Sequence, residues 1–443
     1  MATITLNHGD VVEQLKNIDD ESIDAIITDP PYNLSFMGKK WDNKGAPKQF
    51  QEWCSAWSAE CLRVLKKGGY LLSFGGTRTF HRITSGIEDA GFIIKDCLSW
   101  NYGSGFPKSH NISKAMDKKA GAERKILGLN PHQIGRKTDN TTGSLAGSLG
   151  DGYEGKVVGQ RQSYITEPAT VESARWEGYG TALKPAWEPI ILAQKPFKGT
   201  IVNNVLTHGV GGMNIDATRI SHNDPEIVRK TFDSPLGMFT NPNRKGERGA
   251  GPSPDGRWPA NAIFDEEAGA ILNEQSGECK TGSIKPYTSQ GSNSAFIPDK
   301  MHRNFSQPAS SGGASRFFYC PKTPKKERNC MGHVENKHPT VKPIKLMEWL
   351  IKLVCPTSEA MGRQPVILDC FIGSGSTALA ANRLNVDCIG IDADEESLKT
   401  ARLRLMNDWR LHKGSNALLK GYIPYQEVDL GFDITGNEVK EVF

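Results

Sequence analysis

Strand-like and helix-like segments alternate in two separate blocks of this 443-residue chain, one towards each end. In the first hundred residues, short apolar runs alternate with longer segments whose apolar positions recur at helical spacing. The predicted strands are Ser22–Thr28, Tyr70–Phe74 and Phe92–Trp100, and the predicted helices are Gln49–Leu65 and Thr79–Ala90. Alternation of this kind predicts an α/β fold in which helices cover a mostly parallel sheet.

The same alternation returns after residue 338. The predicted strands there are Val366–Asp369 and Val386–Asp392, and the predicted helices are Ile344–Val354, Thr377–Leu384 and Glu395–Trp409. Between the two blocks the chain is rich in Gly, Ser, Asn and Pro, with a helix predicted at Ile112–Ala120 and a strand at Glu188–Lys195. We therefore expect one α/β domain in two pieces, with large irregular insertions between them.

Basic residues are concentrated in the irregular middle of the chain. Residues 101–185 contain 12 Lys and Arg against 8 Asp and Glu, and residues 197–337 contain 18 against 14. The rest of the chain contains 24 against 28, within a formal net charge of +4. Such a balance favours an enzyme whose insertions contact nucleic-acid phosphates, with a merely solvated surface as the alternative.

The composition predicts a cytoplasmic protein. No run approaches the ~18 consecutive apolar residues of a membrane span, and Met1–Asp10 lacks the basic start and apolar run of a signal peptide. Nine cysteines without the spacing of a disulfide framework predict free thiols.

The first chemical motif, Asp29-Pro30-Pro31-Tyr32, directly follows a predicted strand. Proline has a fixed φ and no N–H, so two in succession end strand pairing and leave a stiff loop with free carbonyls. The Asp29 carboxylate and the Pro30 carbonyl can accept hydrogen bonds side by side, while Tyr32 offers a stacking face. The motif predicts a site for a flat ring with an amino group, and an ordinary Pro-Pro turn is the alternative.

A second motif, far along the chain, predicts binding of an adenosine-containing cofactor. Residues 366–377 form a predicted strand, a Gly373-Ser374-Gly375 turn and a helix start, and the next strand ends at Asp392. Glycine lets the backbone approach a ligand closely, and an acid at the tip of the adjoining strand can accept from ribose hydroxyls. Ala378 and Leu379 stand where a dinucleotide site has a third glycine, which argues against NAD. The absence of Gly-Lys-Ser/Thr weighs against ATP hydrolysis.

With three further segments, these motifs resemble those of the DNA amino-methyltransferases that use S-adenosylmethionine. The similarity is to the group in which Asp-Pro-Pro-Tyr precedes the Phe-x-Gly-x-Gly cofactor loop. The further segments are Gly9-Asp10, Trp187-Glu188-Pro189-Ile190 and His338-Pro339-Thr340-Val341-Lys342-Pro343, so the resemblance spans residues 9–412. Three positions differ from the usual residues of that group but keep their size or charge. Cys370 stands where the group usually has Pro, Ser376 stands where it often has Thr, and Asp392 stands where Glu is commoner.

The resemblance implies a Rossmann-like methyltransferase fold. Its sheet would be mostly parallel and seven-stranded, with Ile190–Gln194 as the one antiparallel strand. Residues 1–100 would form the catalytic half, 101–185 a basic insertion, 186–196 a late strand, 197–337 the target-recognition region, 338–412 the cofactor-binding half and 413–443 a polar tail.

The resemblance also implies roles for individual residues. Asp29 and the Pro30 carbonyl would accept the amino hydrogens of a base flipped out of double-stranded DNA, with Pro31 stiffening the loop and Tyr32 stacking on the base. The cofactor-binding set is Asp10 at the adenine end, Asp392 at the ribose, Phe371, Gly373 and Gly375 in the loop beneath, Asp369 at the methionine end, and Thr340 and Lys342 beside the carboxylate. The residue types themselves indicate DNA contacts at two places. Trp187 and Glu188 form one pair, with a structural role as the alternative, and the aromatic and basic residues of the middle region form the other group, with a solvated loop as the alternative: Arg244, Lys245, Arg248, Arg257 and Trp258.

Adenine N6 is the expected methyl acceptor. Cytosine N4, which more often accompanies Ser at the position of Asp29, stays open, as do RNA or protein substrates and a catalytically idle DNA-binding protein on the same fold. Cys320, Cys330, His333 and His338 lie near one another in sequence but without a Cys-x-x-Cys, so we expect no metal site. Neither a partner restriction endonuclease nor an oligomeric state has a signal in the sequence.

Overall fold

The computed structural model describes residues 2–34, 40–103, 105, 109–129, 164–220, 256–281, 287–290, 300–303, 310–321, 327, 329, 336 and 341–408. Its strands are β1 Ile4–His8, β2 Ile23–Thr28, β3 Leu65–Phe74, β4 Ile93–Asn101, β5 Ile126–Leu129, β6 Tyr164–Thr166, β7 Trp187–Gln194, β8 Ala262–Phe264, β9 Cys279–Thr281, β10 Tyr287–Gln290, β11 Lys300–Arg303, β12 Ser310–Gly312, β13 Val366–Asp369 and β14 Asp387–Asp392. Its helices are α1 Val11–Leu15, α2 Pro47–Val64, α3 Phe80–Asp89, α4 Ile112–Ala120, α5 Val171–Arg175, α6 Ile201–His208, α7 Glu266–Ser276, α8 Ile344–Val354, α9 Ser358–Met361, α10 Ser376–Arg383 and α11 Glu395–Met406.

In the described ranges, no helix is both long enough and apolar enough to cross a membrane. Every cysteine whose side chain is described is a free thiol, as the composition predicted.

Eight of the described strands form one sheet, in the order β1-β14-β13-β2-β3-β7-β4-β8. β7 is antiparallel to both of its neighbours, and the other neighbouring pairs are parallel. The expected α/β fold is therefore confirmed, and β7 contains the expected antiparallel segment Ile190–Gln194. The expected number of seven strands is one too few, because β8 pairs with β4 from within residues 197–337. A three-residue strand is too short to show a recognisable alternation of apolar and polar residues.

Several short elements were also not predicted from the sequence. The helix α1 has five residues and α6 has eight, so neither repeats an apolar position often enough to reveal its period. The strand β3 begins at Leu65, five residues before the predicted start, because the chain turns extended directly after α2.

The core consists of two layers, one on each face of the sheet. Alternation along β2 sends Ala25 and Ile27 towards the layer that contains α8 and α10, and Ile26 towards the layer that contains α2 and α3. All three side chains are fully buried. A strand covered on both faces is apolar throughout, which is why β2 was recognisable as a continuous apolar run.

The adjacent strands β2 and β13 lie where the direction of the chain connections reverses. β2 leads through α2 to β3 on one side, whereas β13 leads through α10 to β14 on the other. In parallel sheets, ligands bind beyond the carboxyl ends of the strands at such a point. Ile367 and Leu368 pair with Ala25 and Ile26, so the two strands end at the same edge.

Candidate active site

The two sequence motifs meet at this edge of the sheet. Asp29 follows β2, Asp369 ends β13 and Asp392 ends β14, and these three strands are consecutive neighbours. The Thr28 hydroxyl donates a 2.7 Å hydrogen bond to Asp369 Oδ1, across 341 residues of sequence. The fold thus places the Pro-Pro loop beside the glycine loop.

Four side chains around Asp29 form a hydrogen-bonded group that we call the acceptor cluster: Asp29, Tyr32, Glu188 and Lys342. Lys342 Nζ lies 2.5 Å from Asp29 Oδ2 and 3.2 Å from Glu188 Oε2. The Tyr32 hydroxyl lies 2.6 Å from Asp29 Oδ1 and 3.1 Å from Glu188 Oε2. Because Glu188 comes from β7 and Lys342 from the segment before α8, the cluster joins three distant parts of the chain.

The environment of the cluster fixes the charges of Lys342 and Tyr32. Burial alone would lower the pKa of Lys342, but the carboxylates of Asp29 and Glu188 outweigh it and raise that pKa above its usual value. Burial, followed by the same two carboxylates, raises the pKa of Tyr32 well above its usual value. At neutral pH, Lys342 is therefore a cation and Tyr32 is neutral.

A second set of contacts fixes the backbone after Tyr32. The Asp42 carboxylate, whose residue is 2% exposed, accepts from the backbone N–H groups of Asn33 at 2.8 Å and Leu34 at 3.0 Å. Asn33 has a φ of +56° and accepts from Lys44 N at 2.7 Å, and the Thr79 hydroxyl donates to the Tyr32 carbonyl at 2.6 Å. We did not predict these supporting residues, although an Asn after the motif is a signal for a left-handed turn.

The glycine loop has the conformation that its sequence predicts. Gly373 has a φ of +51° and Gly375 a φ of +82°, both in the left-handed region. A Cβ on Gly375 would lie 2.7 Å from the Ala401 Cβ on α11. Gly373 N donates a 2.8 Å hydrogen bond to Asp392 Oδ2, so the acid at the tip of β14 contacts the loop directly.

Asp369 is buried beneath this loop, with 2% of its surface exposed. Its two carboxyl oxygens accept from the hydroxyls of Thr28 at 2.7 Å and Thr377 at 2.5 Å, and its Oδ1 also accepts from Phe371 N at 3.1 Å. Burial raises its pKa to about 7, against the opposing effect of these hydrogen bonds. Asp369 therefore connects β2, β13 and α10.

Two further predicted cofactor residues, Phe371 and Asp10, lie in the loop and near the tip of β14. The Phe371 ring packs against Trp53 and Trp57 of α2, each with a centroid distance of 5.6 Å. Asp10 caps α1 by accepting from Val12 N at 2.9 Å. Its neighbour Gly9 donates to the Asp392 carbonyl at 3.0 Å, which places Asp10 near the tip of β14.

A protein-family model described as DNA methylase, for N6 and N4 methyltransferases, matches residues 23–403. The match includes both motifs and both blocks of the α/β domain. The chain belongs to this family.

Individual relatives match shorter stretches of the chain. The chain is 24% identical over 246 residues to the type II methyltransferase M.HindIII of Haemophilus influenzae, a match that covers 47% of this chain and 63% of that protein. It is 34% identical over 110 residues to the type II methyltransferase M.HpaI of Haemophilus parainfluenzae, over 25% and 35% of the two proteins. Each match thus spans less than two thirds of the relative.

Solved structures show a general similarity. PvuII DNA methyltransferase (cytosine-N4-specific) is 13% identical with a TM-score of 0.41, over 91% of this chain and 86% of that chain. M1.HpyAVI in complex with SAM is 16% identical with a TM-score of 0.36, over 91% and 100%. Similarity at these TM-scores adds no argument about this member of the family.

The expected DNA contacts lie in different places on this family member. Trp187 is 37% exposed at the start of β7 and packs edge-to-face on Phe80, while its neighbour Glu188 belongs to the acceptor cluster. Arg257 lies 5.2 Å from the Phe317 ring centroid. Trp258 is 64% exposed beside β8, with the Arg219 guanidinium 5.4 Å from its ring. The predictions for Arg244, Lys245, Arg248 and Thr340 fall outside the described residues.

The cysteine and histidine residues considered for zinc are mostly beyond the described ranges. Cys330, His333 and His338 lie outside them, and the Cys320 thiol donates to the Ser315 carbonyl at 3.7 Å. Within the described part of the chain, no three His, Cys, Asp or Glu side chains are grouped to hold a metal ion.

Proposed function

We propose that this protein is an S-adenosylmethionine-dependent DNA methyltransferase that methylates the exocyclic N6 of adenine. Double-stranded DNA is the proposed substrate, and residues 197–337 are its proposed recognition region. The observation that carries the proposal is the adjacency of Asp29 and the glycine loop at the carboxyl ends of β2 and β13. It brings a hydrogen-bond acceptor for an amino group beside a loop suited to an adenosine-containing ligand.

The residues around the glycine loop suit S-adenosylmethionine. Glycine at positions 373 and 375 lets the loop adopt left-handed φ angles and lets its backbone approach a ligand closely. The Asp392 carboxylate, at the tip of β14, is the acceptor proposed for the ribose hydroxyls, and Phe371 offers an apolar surface. When bound, the sulfonium supplies a methyl group that needs no metal for its activation.

The chemistry assigned to this chain is to prepare the acceptor nitrogen. An exocyclic amino group is a poor nucleophile because its lone pair is delocalised into the ring. By accepting its hydrogens, Asp29 and the Pro30 carbonyl would favour a tetrahedral nitrogen whose lone pair points at the methyl group. They would also stabilise the positive charge that develops there. The transferred methyl is exchanged for one amino proton, which leaves to Asp29 or to water.

The target amino group is hidden in duplex DNA, so the base must leave the stack. Tyr32 is the proposed stacking surface, and the basic residues of the insertions are the proposed phosphate contacts. Adenine is favoured over cytosine because Asp occupies the first position of Asp29-Pro30-Pro31-Tyr32, where Ser more often accompanies cytosine N4 methylation.

The test identifies the methylated nucleoside. The purified chain is incubated with methyl-labelled S-adenosylmethionine and PCR-amplified genomic DNA, which lacks prior methylation, and the product is digested to nucleosides for mass spectrometry. The proposal expects N6-methyldeoxyadenosine. Detection of N4-methyldeoxycytidine instead would show that the target base is cytosine, with the same type of reaction. Label found only on RNA or protein in parallel incubations would show that DNA is not the substrate.

A catalytically idle DNA-binding protein would give a different result in the same experiment. It would retain DNA in an electrophoretic shift assay and transfer no label at any cofactor concentration. That combination would overturn the proposed reaction.

A further inference from the structure

Lys342 lies in the acceptor cluster, although the sequence predicts it beside the cofactor carboxylate. Its side chain is 7% exposed, and its ammonium group contacts Asp29 Oδ2 at 2.5 Å, Glu188 Oε2 at 3.2 Å and the Tyr32 hydroxyl at 3.3 Å. An ammonium group has three hydrogens to donate. These three contacts account for all of them, so a cofactor carboxylate would have to displace one.

The contacts divide the two oxygens of Asp29 between different partners. Oδ2 is held by the buried Lys342 ammonium, whereas Oδ1 accepts from the Tyr32 hydroxyl at 2.6 Å. Breaking the Lys342 contact would leave this buried ammonium with only the longer contact to Glu188, and weakening a buried ion pair is costly. The Tyr32 hydroxyl is neutral and has a second acceptor in Glu188 Oε2 at 3.1 Å, so it can release Oδ1 without losing its hydrogen bond.

We propose that Lys342 and Glu188 are positioning residues for Asp29. Lys342 fixes Oδ2 so that Oδ1 faces the incoming amino group, and Glu188 offsets the ammonium charge. This inference rests on the proposed function, because it assigns the amino group of a base as the group that replaces the Tyr32 hydroxyl on Oδ1.

The need for Glu188 follows from charge. Methyl transfer places positive charge on the acceptor nitrogen, and a lone ammonium bound to Asp29 would oppose it. With Glu188 present, the cluster holds two carboxylates and one ammonium, so it keeps a net negative charge where the positive charge develops. Lys342 Nζ also lies 4.8 Å from the Phe74 ring centroid, which stabilises it without adding an anion.

The test compares Lys342→Met, Glu188→Gln and the double variant, with Lys352→Met as the control. Lys352 is an exposed lysine on α8, the helix that follows Lys342. Cofactor affinity is measured by calorimetry without DNA, and the single-turnover rate constant is measured at saturating cofactor and DNA across pH. A misplaced catalytic group costs about 100-fold in rate, which is the loss expected for Lys342→Met, with cofactor affinity unchanged.

The pH profile separates positioning from a general structural effect. Besides Lys342, the titratable groups that interact with Asp29 are Tyr32 and Asp369, while Glu188 and Tyr102 face the same Lys342 ammonium. Without the ammonium, Asp29 and Glu188 repel each other, so the acidic limb of the Lys342→Met profile is expected to move to higher pH. Glu188→Gln in the double variant removes that repulsion, and the limb is expected to return towards the wild-type position.

Three outcomes have distinct meanings. Weaker cofactor binding by Lys342→Met with an unchanged rate at saturation would overturn the inference and restore the cofactor role. If Lys342→Met does not fold, the Glu188→Gln variant tests the inference by itself. A methyl-transfer rate equal to that of the wild type in Glu188→Gln would then also overturn the inference. A wild-type enzyme that transfers no methyl group to DNA would instead overturn the proposed function, and the inference with it.

Discussion

The Thr28 hydroxyl donates a hydrogen bond to the Asp369 carboxyl group, with Thr28 Oγ1 2.7 Å from Asp369 Oδ1. Thr28 is the last residue before the Pro-Pro loop, and Asp369 is the last residue of the strand before the glycine loop. The hydroxyl of Thr377, from the helix after that loop, donates to the other carboxyl oxygen of Asp369 at 2.5 Å. One buried carboxyl group therefore connects the two halves of the candidate active site.

This arrangement predicts a pH-dependent stability. Burial raises the pKa of Asp369 to about 7 in the folded protein, from 3.8 for an exposed Asp. The folded state then binds more protons than the unfolded state between these values, so the free energy of unfolding falls as pH rises through this window, by about 1.4 kcal/mol per pH unit. Asp369→Asn keeps a hydrogen-bonding side chain but cannot ionise, and should remove this contribution to the slope.

The measurement is urea unfolding of the wild type and Asp369→Asn at several pH values from 4 to 8. The exposed Asp19→Asn is the matched control and should leave the slope unchanged. Equal slopes for all three proteins would show that Asp369 is ionised throughout and that its burial is better compensated than the raised pKa indicates.

Asp29→Asn is expected to abolish methyl transfer while cofactor binding persists. The substitution replaces an acceptor oxygen by an NH₂ group that faces the target amino hydrogens, so we expect a loss of roughly 100-fold or more in the single-turnover rate. The measurement is label transfer to DNA, with calorimetry for cofactor affinity. Full turnover by this variant would remove Asp29 from the mechanism.

Asp42 is predicted to support the Pro-Pro loop. Asp42→Ala would leave the N–H groups of Asn33 and Leu34 without their acceptor, at a cost of about 1–3 kcal/mol for each group that water does not reach. Asp42→Asn keeps one oxygen and should give an intermediate effect. The readouts are the urea midpoint and the rate of methyl transfer. A wild-type rate of methyl transfer in Asp42→Ala would show that the loop keeps its conformation without the two hydrogen bonds to Asp42.

The sequence predicted the parts of the site that depend on neighbouring residues. The strand before Asp29 is a nearly continuous apolar run, and the two glycines at 373 and 375 directly indicate a tight turn. Both features are local, so a single chain is enough to recognise them. The family resemblance supplied the order of the segments, and the structure shows that β2 and β13 are neighbours in the sheet.

The contacts between distant segments could not be predicted in the same way. Lys342 is 313 residues from Asp29, and its position depends on how α8 packs against the sheet. Glu188 reaches the cluster because β7 runs antiparallel, which brings its first residues to the carboxyl ends of the parallel strands. Asp42 has no signal in its own neighbourhood, since its partners are two backbone N–H groups eight and nine residues earlier.

Gly375 is predicted to be irreplaceable for two separable reasons. Its φ of +82° disfavours any side chain, at a cost of about 1–3 kcal/mol, and its Cβ would lie 2.7 Å from that of Ala401. Gly362 isolates the first effect, because it has a φ of +63° and open space around its Cβ position. Gly375→Ala should therefore lower the free energy of unfolding more than Gly362→Ala. Adding Ala401→Gly to Gly375→Ala should recover part of the difference, because it removes the opposing methyl group. The measurement is urea unfolding of the wild type and the three variants, and equal losses for Gly375→Ala and Gly362→Ala would show that α11 moves aside without cost.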